Sequence, residues 1–333
     1  MDLTENNLYN NLSQTEKLKI QENAKDLAAL LSIWATCHPM IRAKRVTPVA
    51  VLVATVLPHL ALHHALLVGK IILFIFTVDD VADERLLSYM DFIASSKVWS
   101  DIARFGNAIT LTSEDGDLGV MFLEIRGELA RFPLFSSLWA LWSSRLQLLS
   151  ESMAKEYEYG LRYHVSGKET LPAFDEYIES GTHSLGFPFW GTSVLILLSE
   201  PLTQDNLDHL NEIMLNTGAA IRLYNDVRTY EKEVKEGNIN ALTLVLNSLE
   251  EKREGLSAHQ MFEQAQETVL QTANGYAEKS CNLAGYQHTN TGQFEEMIRR
   301  IIAFHAYLYG SRQHNLDYHT ISSSDTFMMT QGK

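Results

Sequence analysis

Cysteine, proline and glycine are all scarce in this 333-residue chain, which has 2, 7 and 18 of them. Two cysteines, Cys37 and Cys281, cannot form a disulfide framework, and they match no zinc motif. A reducing cytoplasm is the expected location. The prolines and glycines form no cluster that would mark a linker, and no repeat of fixed period is visible. We therefore predict one large domain.

Basic residues are also few, because 27 of them face 41 acidic residues and leave a net charge of −14. This balance disfavours a nucleic-acid-binding protein. The polar first 22 residues contain no apolar core of a signal peptide. An apolar stretch at 46–68 is interrupted by Pro48, Pro58 and histidines, so we expect two buried helices meeting near Pro58 and no stable membrane insertion.

Helical periodicity recurs almost throughout, whereas alternating strand patterns are hard to find. The predicted fold class is all-α, and 46% apolar residues suffice for a large core that could enclose a cavity. A cluster of Gly181, Gly186 and Pro188 predicts a helix broken toward the interior. The predicted helices are 16–35, 60–81, 119–132, 134–165, 172–179, 186–198, 204–235, 240–249, 258–286 and 292–309.

Two acidic clusters follow apolar runs and are therefore expected on helices. Asp79 and Asp83 lie within about 40° on a helical wheel, and Asn225, Thr229 and Glu233 step by about 40°. Each cluster thus presents oxygen ligands on one face. Magnesium prefers such oxygens and usually shares its shell with water and substrate phosphates. The pattern predicts a magnesium site that takes a phosphate-bearing substrate.

The two clusters together resemble the class I terpene synthases of the microbial type, whose motifs read DDxxD and NDxx(S/T)xxxE. Every motif position is filled, by Asp79, Asp80, Asp83, Asn225, Asp226, Thr229 and Glu233. The resemblance covers roughly 39–318, leaving a partly helical segment at 1–38 and a tail at 319–333. It implies a single-domain class I terpenoid synthase helical bundle that encloses an active-site cavity.

The resemblance further implies a Mg²⁺-dependent cyclase that converts a linear prenyl diphosphate to a cyclic terpene plus diphosphate. Farnesyl diphosphate is favoured, with geranylgeranyl diphosphate a close second. Three Mg²⁺ ions are expected with substrate bound, with Mn²⁺ as an alternative metal, and a homodimer stays open. The implied metal ligands are Asp79, Asp80, Asp83, Asn225, Thr229 and Glu233, all but Asp80 also having catalytic roles. For Asp80 the alternative is to support the ligands without binding metal itself.

Basic residues must complete the diphosphate site. Arg222 and Lys232 border the metal face of their predicted helix, although an ion pair with Asp226 explains Arg222 equally well. Family members also carry an arginine about four residues before a glycine in the broken helix, and an Arg-Tyr pair near the C-terminus. Here the first position falls on Thr182, and Arg312 matches only the first member of the pair.

The missing arginine leaves three explanations open: a rearranged diphosphate site, substitution by His183 or Arg162, or a different alignment. Aromatic faces stabilise carbocations, so Phe76 on the motif helix and Phe187 beside the helix break are cavity candidates. Thr182 and Gly186 at the break are the other two candidates.

Two alternative functions are kept. A chain-elongating prenyl diphosphate synthase shares an all-helical architecture, but it would carry DDxxD twice, and the second site here reads Asn-Asp-x-x-Thr-x-x-x-Glu. A catalytically silent helical protein that binds prenyl diphosphates is compatible with the missing arginine.

Overall fold

Twelve α-helices account for most of the computed structural model, which describes residues 12–106, 116–252 and 255–309. No strand occurs within these ranges, so the all-α prediction is confirmed. A 3₁₀ turn at Gly167–Thr170 follows α6. The helices are α1 (Gln14–Ala35), α2 (Ala43–Val56), α3 (Leu62–Asp83), α4 (Tyr89–Phe105), α5 (Gly116–Leu129), α6 (Phe135–Ser166), α7 (Phe174–Ser184), α8 (Phe187–Leu198), α9 (Gln204–Glu236), α10 (Ala241–Lys252), α11 (Ala258–Leu283) and α12 (Gln293–Tyr309).

The ten predicted helices all overlap observed ones, and α2 and α3 meet around Pro58 as expected. The structure adds α4, which the periodicity did not reveal. Its buried side chains form a narrow stripe of Phe92, Trp99, Ile102 and Ala103, and exposed Met90 and Ile93 blur the pattern. Among the described residues, no helix is both long and apolar enough to cross a membrane.

The central helix α3 carries the first motif at its end. Between Ala65 and Val78 nearly every side chain is buried, because α3 is packed against α1, α2, α5, α6 and α8. The helix stays buried until its final turns and ends at Asp83. This sequence of apolar residues followed by acids places the carboxylates where the core opens.

Four aromatic rings in contact join α3, α5, α6 and α8 within the core. Ring centroids are 5.0 Å apart for Phe74 and Phe122, 5.6 Å for Phe122 and Trp142, and 5.2 Å for Trp142 and Phe189. Such pairs contribute about 0.5 to 1.5 kcal/mol each beyond their buried area. The Trp142 indole N–H donates to the Ser193 hydroxyl at 2.9 Å, so the buried polar atom is satisfied.

The N-terminal segment joins the same core, since α1 is packed against α2 and α3 and buries Ile20, Leu27 and Leu31. The domain limits at 38 and 319 stay predictions, and the tail at 319–333 lies outside the described residues.

The predicted helix break is found between α7 and α8. Gly186 has φ of +79°, a left-handed conformation that glycine adopts without steric cost. A Cβ there would lie 2.8 Å from the Cγ2 atom of Ile75 on α3. Pro188 in the first turn then starts α8, where its missing N–H costs nothing. Glycine is therefore required both by the turn and by the close approach of α3.

We expect Gly186→Ala to destabilise the protein by at least about 1 to 2 kcal/mol, the cost of a left-handed non-glycine residue. The contact with Ile75 adds to this cost. Urea unfolding followed by circular dichroism measures the change. Gly127→Ala is the matched control, because Gly127 is inside α5 with open space around it. That variant should be neutral or more stable by about 0.5 to 1 kcal/mol; equal effects of both substitutions would contradict the steric argument.

Candidate active site

One large cavity opens between α2, α3, α6, the α7–α8 break, α9 and α12, with a volume of about 1490 Å³ counting its open mouth. The motif residues in its lining come from the end of α3 and the C-terminal half of α9, and α2, α6 and α7 add further polar side chains. Its apolar lining comes from earlier turns of α3 and from the other helices. The main apolar residues are Leu52, Ile72, Ile75, Met153, Trp190 and Ile301.

The first motif divides between the cavity and an ion pair. Asp79 and Asp83 line the cavity. Asp80 is not among the lining residues, because the next residue of a helix points about 100° away. Its carboxylate instead accepts from Arg45, with Nη2 to Oδ1 at 2.6 Å and Nε to Oδ2 at 3.2 Å. Arg42 Nη1 lies 3.4 Å from the same Oδ1. The structure thus places Asp80 in a buried salt bridge rather than with the expected metal ligands.

The second motif is assembled on one face of α9. Asn225, Thr229 and Glu233 all line the cavity. The Asn240 side-chain amide donates to Glu233 Oε2 at 2.8 Å and to the Asp226 backbone carbonyl at 2.9 Å. The turn after α9 therefore orients Glu233.

The Arg222 side chain is both a cavity residue and an ion-pair partner. Its Nε lies 3.0 Å from Asp226 Oδ1, and its Nη1 lies 3.1 Å from Glu156 Oε1. The Tyr177 hydroxyl donates to Asp226 Oδ2 at 2.7 Å, as does the Ala241 backbone N–H at 3.0 Å. Arg222 thus lines the cavity and also forms the expected ion pair with Asp226, whereas its contact with a diphosphate stays a prediction.

Some of the remaining candidates line the cavity and others do not. Lys232, Phe76 and Phe187 line it. The Thr182 hydroxyl donates to the Ile178 carbonyl at 2.8 Å, and neither Thr182 nor Gly186 is among the lining residues. Gly186 contributes by shaping the turn instead.

None of the candidate basic residues outside α9 is found in the cavity lining of the described residues. Of the proposed substitutes for the missing arginine, neither Arg162 nor His183 lines the cavity, and Arg162 pairs with Glu158. Arg312 lies outside the described residues.

Several cavity residues could not be identified from the sequence. Arg45 and Arg85 add cations to the lining, and Glu156 and Tyr177 add the partners of Arg222. Arg45, Glu156 and Tyr177 carry no sequence signal, because each lies far from both motifs in the chain, and Arg85, two residues after Asp83, is not a motif position. Asn240 follows Gly237 in the turn after the second motif, and that position was its only signal.

Burial and neighbouring charge disfavour ionisation of the cavity carboxyls. Burial raises the pKa of Asp79 to about 6, with Asp80 and Glu156 adding to the shift and Arg45 opposing it. Burial likewise raises the pKa of Glu233 to about 7, and the Asp226 carboxylate adds to it. A cation in the cavity would favour the ionised forms.

The donor set fits magnesium held jointly with a ligand. All five cavity donors of the motifs present oxygen, which is what Mg²⁺ prefers, with two on α3 and three on α9. Within the described residues, no group of three or more His, Cys, Asp or Glu side chains could hold a metal ion by itself. A metal here must therefore complete its shell with Asn225, Thr229, water or phosphate oxygens.

Known structures share this architecture. Linalool/nerolidol synthase from Streptomyces clavuligerus, solved with 2-fluorogeranyl diphosphate, aligns with a TM-score of 0.69 at 13% identity, over 85% of this chain and 97% of that one. Abietadiene synthase from Abies grandis aligns with a TM-score of 0.70 at 15% identity, over 95% and 40%. 2-Methylisoborneol synthase from Streptomyces coelicolor A3(2), solved with Mg²⁺ and geranyl-S-thiolodiphosphate, gives 0.66 at 14% identity, over 90% and 94%. At these identities the likeness shows a class I terpene synthase fold.

Sequence relatives cover a shorter stretch. Isopimaradiene synthase of Isodon rubescens is 34% identical over 82 residues, which are 24% of this chain and 11% of that protein. Ent-cassa-12,15-diene synthase of Oryza sativa subsp. japonica is 36% identical over 81 residues, 23% and 10% respectively. The matches thus span about a tenth of these relatives' length.

A family model described as terpene synthase family 2, C-terminal metal binding, matches residues 70–273, well over half of the chain. Both acidic motifs and the broken helix lie within that range. The chain therefore belongs to this terpene synthase family.

Proposed function

We propose that this protein is a Mg²⁺-dependent terpene cyclase that ionises and cyclises a linear prenyl diphosphate. The observation that carries the proposal is the division of one cavity into an oxygen-rich part, bordered by Arg222 and Lys232, and an apolar remainder. The first part suits a diphosphate with its metals, and the second suits a hydrocarbon chain. Farnesyl diphosphate is the favoured substrate, and the diterpene synthases among the relatives support testing geranylgeranyl diphosphate beside it.

The polar part of the cavity would promote departure of the leaving group. Asp79, Asp83, Asn225, Thr229 and Glu233 would hold Mg²⁺, three ions with substrate bound or Mn²⁺ in their place. The metal would supply Lewis-acid stabilisation of the charge that develops on the diphosphate. Basic side chains would donate charge-assisted hydrogen bonds to the same oxygens, and such bonds are about twice as strong as neutral ones. The allylic C–O bond breaks, and its electron pair leaves with the diphosphate.

The apolar part of the cavity would protect the resulting carbocation. Its aliphatic lining leaves little to hold water, which would otherwise end the reaction early. Phe76, Phe187 and Trp190 present aromatic rings, whose negative faces attract cations. The Arg45 guanidinium already covers one face of Phe76, 5.1 Å from the ring centroid. We therefore assign Phe187 and Trp190, whose rings meet edge to face at 4.8 Å, the larger share of cation stabilisation.

The proposed function is tested with purified protein, Mg²⁺ and each of the two prenyl diphosphates. Diphosphate release is measured, and hydrocarbon extracts are analysed by gas chromatography with mass spectrometry. A cyclase gives volatile cyclic products. A chain-elongating enzyme gives longer prenyl alcohols after phosphatase treatment when isopentenyl diphosphate is added, and a silent binding protein releases no diphosphate.

Glu233→Gln should lower turnover by at least about a hundredfold, a common loss when a charge-stabilising group is removed. The fold should persist, because the amide can still accept from Asn240. The control is Glu231→Gln on the same helix, since Glu231 is exposed and outside the cavity lining. Steady-state diphosphate release is the measurement. Unchanged turnover and an unchanged Mg²⁺ requirement in the Glu233 variant would remove the second metal site from the mechanism.

Lys232→Ala should lower turnover by roughly thirtyfold, or about 2 kcal/mol, the low end for deleting a cation opposite a charged partner. Lys232 is half-exposed, and its Nζ lies 3.6 Å from Glu236 Oε2, so its loss should not unfold α9. Lys235→Ala is the matched control, because Lys235 is exposed and outside the lining. Thr182→Ala should be mild, since the hydroxyl only bonds a carbonyl of its own helix. A loss of turnover in Thr182→Ala as large as that in Lys232→Ala would contradict the assignment of Lys232 to diphosphate binding.

Asp80→Asn should destabilise the protein by about 3 to 5 kcal/mol, the usual cost of breaking a buried ion pair. Arg45 would lose its charged partner in a site where both side chains are buried. Asp79→Asn should leave stability unchanged or raise it, because Asp79 makes no ion pair within the described residues and is close to other carboxylates. Unfolding in urea at pH 7, without metal, compares the two. Equal losses would contradict the different placement of the two aspartates.

Arg222 is the exception among the proposed diphosphate residues. We expect Arg222→Ala to destabilise the fold as well as to lower turnover. Removing Arg222 leaves Asp226, which is fully buried, without its cation.

A further inference from the structure

Helix α3 is followed by a turn whose backbone conformation its residue does not favour. The chain turns at Arg85, which has φ of +53°. The Arg85 N–H donates to the Ala82 carbonyl at 3.2 Å, and the Leu86 N–H donates to the Val81 carbonyl at 3.0 Å. These are the hydrogen bonds of a Schellman motif, in which glycine usually takes the left-handed position. A Cβ at that position is sterically costly.

Three other helices are capped by glycine with the same sign of φ. They are α4 at Gly106, α6 at Gly167 and α9 at Gly237, where φ is between +58° and +75°. Helix α3 has an arginine where glycine would suit the turn better. Strained backbone of this kind is often found at functional sites, where the side chain has a task that glycine cannot perform. The Arg85 side chain is therefore the part of the turn to explain.

This side chain reaches from the end of α3 toward α6. It lines the cavity together with Gly160 of α6 and Asn238, which follows α9. A Cβ at Gly160 would lie 3.4 Å from Arg85 Nη2, 3.8 Å from the Gly237 carbonyl oxygen and 3.9 Å from Asn238 Oδ1. The guanidinium therefore lies beside the turn that follows the second motif, in space that the missing side chain of Gly160 leaves open. Arg85 is exposed as well as lining the cavity, so it lies at the cavity mouth.

The guanidinium of Arg85 is available for an anion, unlike those of the two other arginines in the lining. Arg45 forms a salt bridge with Asp80, and Arg222 forms one with Asp226, with little exposure of any of these side chains. The side chain of Arg85 forms no salt bridge or hydrogen bond with any residue that the structure describes. Its positive charge is thus not neutralised by the protein.

The other basic residues of the lining are Lys232 and His305. Burial lowers the pKa of His305 to about 4, so its ring is neutral at pH 7. Lys232 is half-exposed, with its Nζ 3.6 Å from Glu236 Oε2, and stays available. A guanidinium presents parallel N–H groups that match phosphate oxygens in pairs, whereas an ammonium acts as a point charge. Arg85 is therefore better suited than Lys232 to hold a phosphate group in one orientation.

We propose that Arg85 binds the diphosphate of the substrate at the mouth of the cavity. This assignment rests on the proposed cyclase function. Asp83, two residues earlier, lines the same cavity, so a diphosphate held at the first motif lies within reach of the Arg85 side chain. The C–O electron pair leaves with the diphosphate. The guanidinium stays protonated and stabilises the negative charge that develops there.

A purely structural role for Arg85 makes a different prediction. A cation near the C-terminus of a helix stabilises that helix, and glycine at this position would remove the charge. Glycine would also relieve the left-handed strain of the turn. If the side chain serves the ligand and not the fold, the gain from relieved strain is the larger effect, and a glycine variant is more stable than the wild type.

The test compares Arg85→Gly with the wild type. Isothermal titration calorimetry with inorganic diphosphate and excess Mg²⁺ measures binding without turnover. We expect the dissociation constant to rise about tenfold, the low end for loss of a hydrogen bond to a charged group. The kcat/KM for diphosphate release from the prenyl diphosphates should fall by at least the same factor. The midpoint of urea unfolding should rise.

Ser199→Gly is the matched control. Among the described residues, Ser199 is the other non-glycine residue with positive φ, +54°, and it caps α8 outside the cavity lining. Its diphosphate affinity and kcat/KM should equal those of the wild type. Arg85→Lys should keep part of the affinity, because the charge remains while the paired N–H groups are lost.

Failures of the two proposals are distinguishable. No diphosphate release by the wild type from either prenyl diphosphate would contradict the cyclase function, and the calorimetry would still decide whether Arg85 binds diphosphate. An active wild type with unchanged affinity and kcat/KM in Arg85→Gly would overturn only the role of Arg85. A lower unfolding midpoint in Arg85→Gly, or an equal loss of affinity in Ser199→Gly, would also overturn it, because the side chain would then act on the turn and not on the ligand.

Discussion

Oxygen atoms gathered in a partly buried space repel one another, and the whole cavity is organised around this repulsion. The carboxylates of Asp79 and Glu233 belong to different helices, yet both have their pKa raised by burial and by neighbouring acids. The fold holds them in place because α3 and α9 are fixed by packing elsewhere along their lengths. Such an arrangement is costly for a protein alone and favourable once cations and a polyanion enter. Binding of cations together with a polyanion would therefore relieve the repulsion between the carboxylates.

Salt bridges beside the cavity neutralise the other two aspartates of the motifs. Asp80 is paired with Arg45, and Asp226 is paired with Arg222, so the inward and outward members of each motif have separate tasks. The outward aspartates anchor the motif helices to α2 and α7, while their neighbours face the cavity. Asn240 adds a second constraint on Glu233. Asp79 and Asn225 therefore face the cavity, whereas the aspartate that follows each of them, Asp80 or Asp226, forms a buried salt bridge.

The sequence was sufficient where local periodicity decides the outcome. The helical wheel correctly grouped Asp79 with Asp83, and Asn225 with Thr229 and Glu233, since these positions share a face whatever surrounds them. The position of the helix break at Gly186 followed from local backbone chemistry in the same way.

The sequence could not predict the role of a residue when that role depends on a contact with a residue distant in the chain. For Asp80 both metal binding and a supporting role were open, and only the fold shows that Arg45, 35 residues earlier in the chain, forms a salt bridge with its carboxylate. Glu156 was not singled out at all, because its role depends on its ion pair with Arg222, which is 66 residues away in the chain.

The most direct test of the central claim is the melting temperature of the protein with Mg²⁺, with inorganic diphosphate, and with both. Since no described cluster of acids and histidines could hold a metal alone, each component by itself should raise it little. Both together should raise it strongly, because ligands that bind only the folded state stabilise it by mass action. Equal stabilisation by Mg²⁺ alone, or none by the combination, would contradict a site that metal and diphosphate complete jointly.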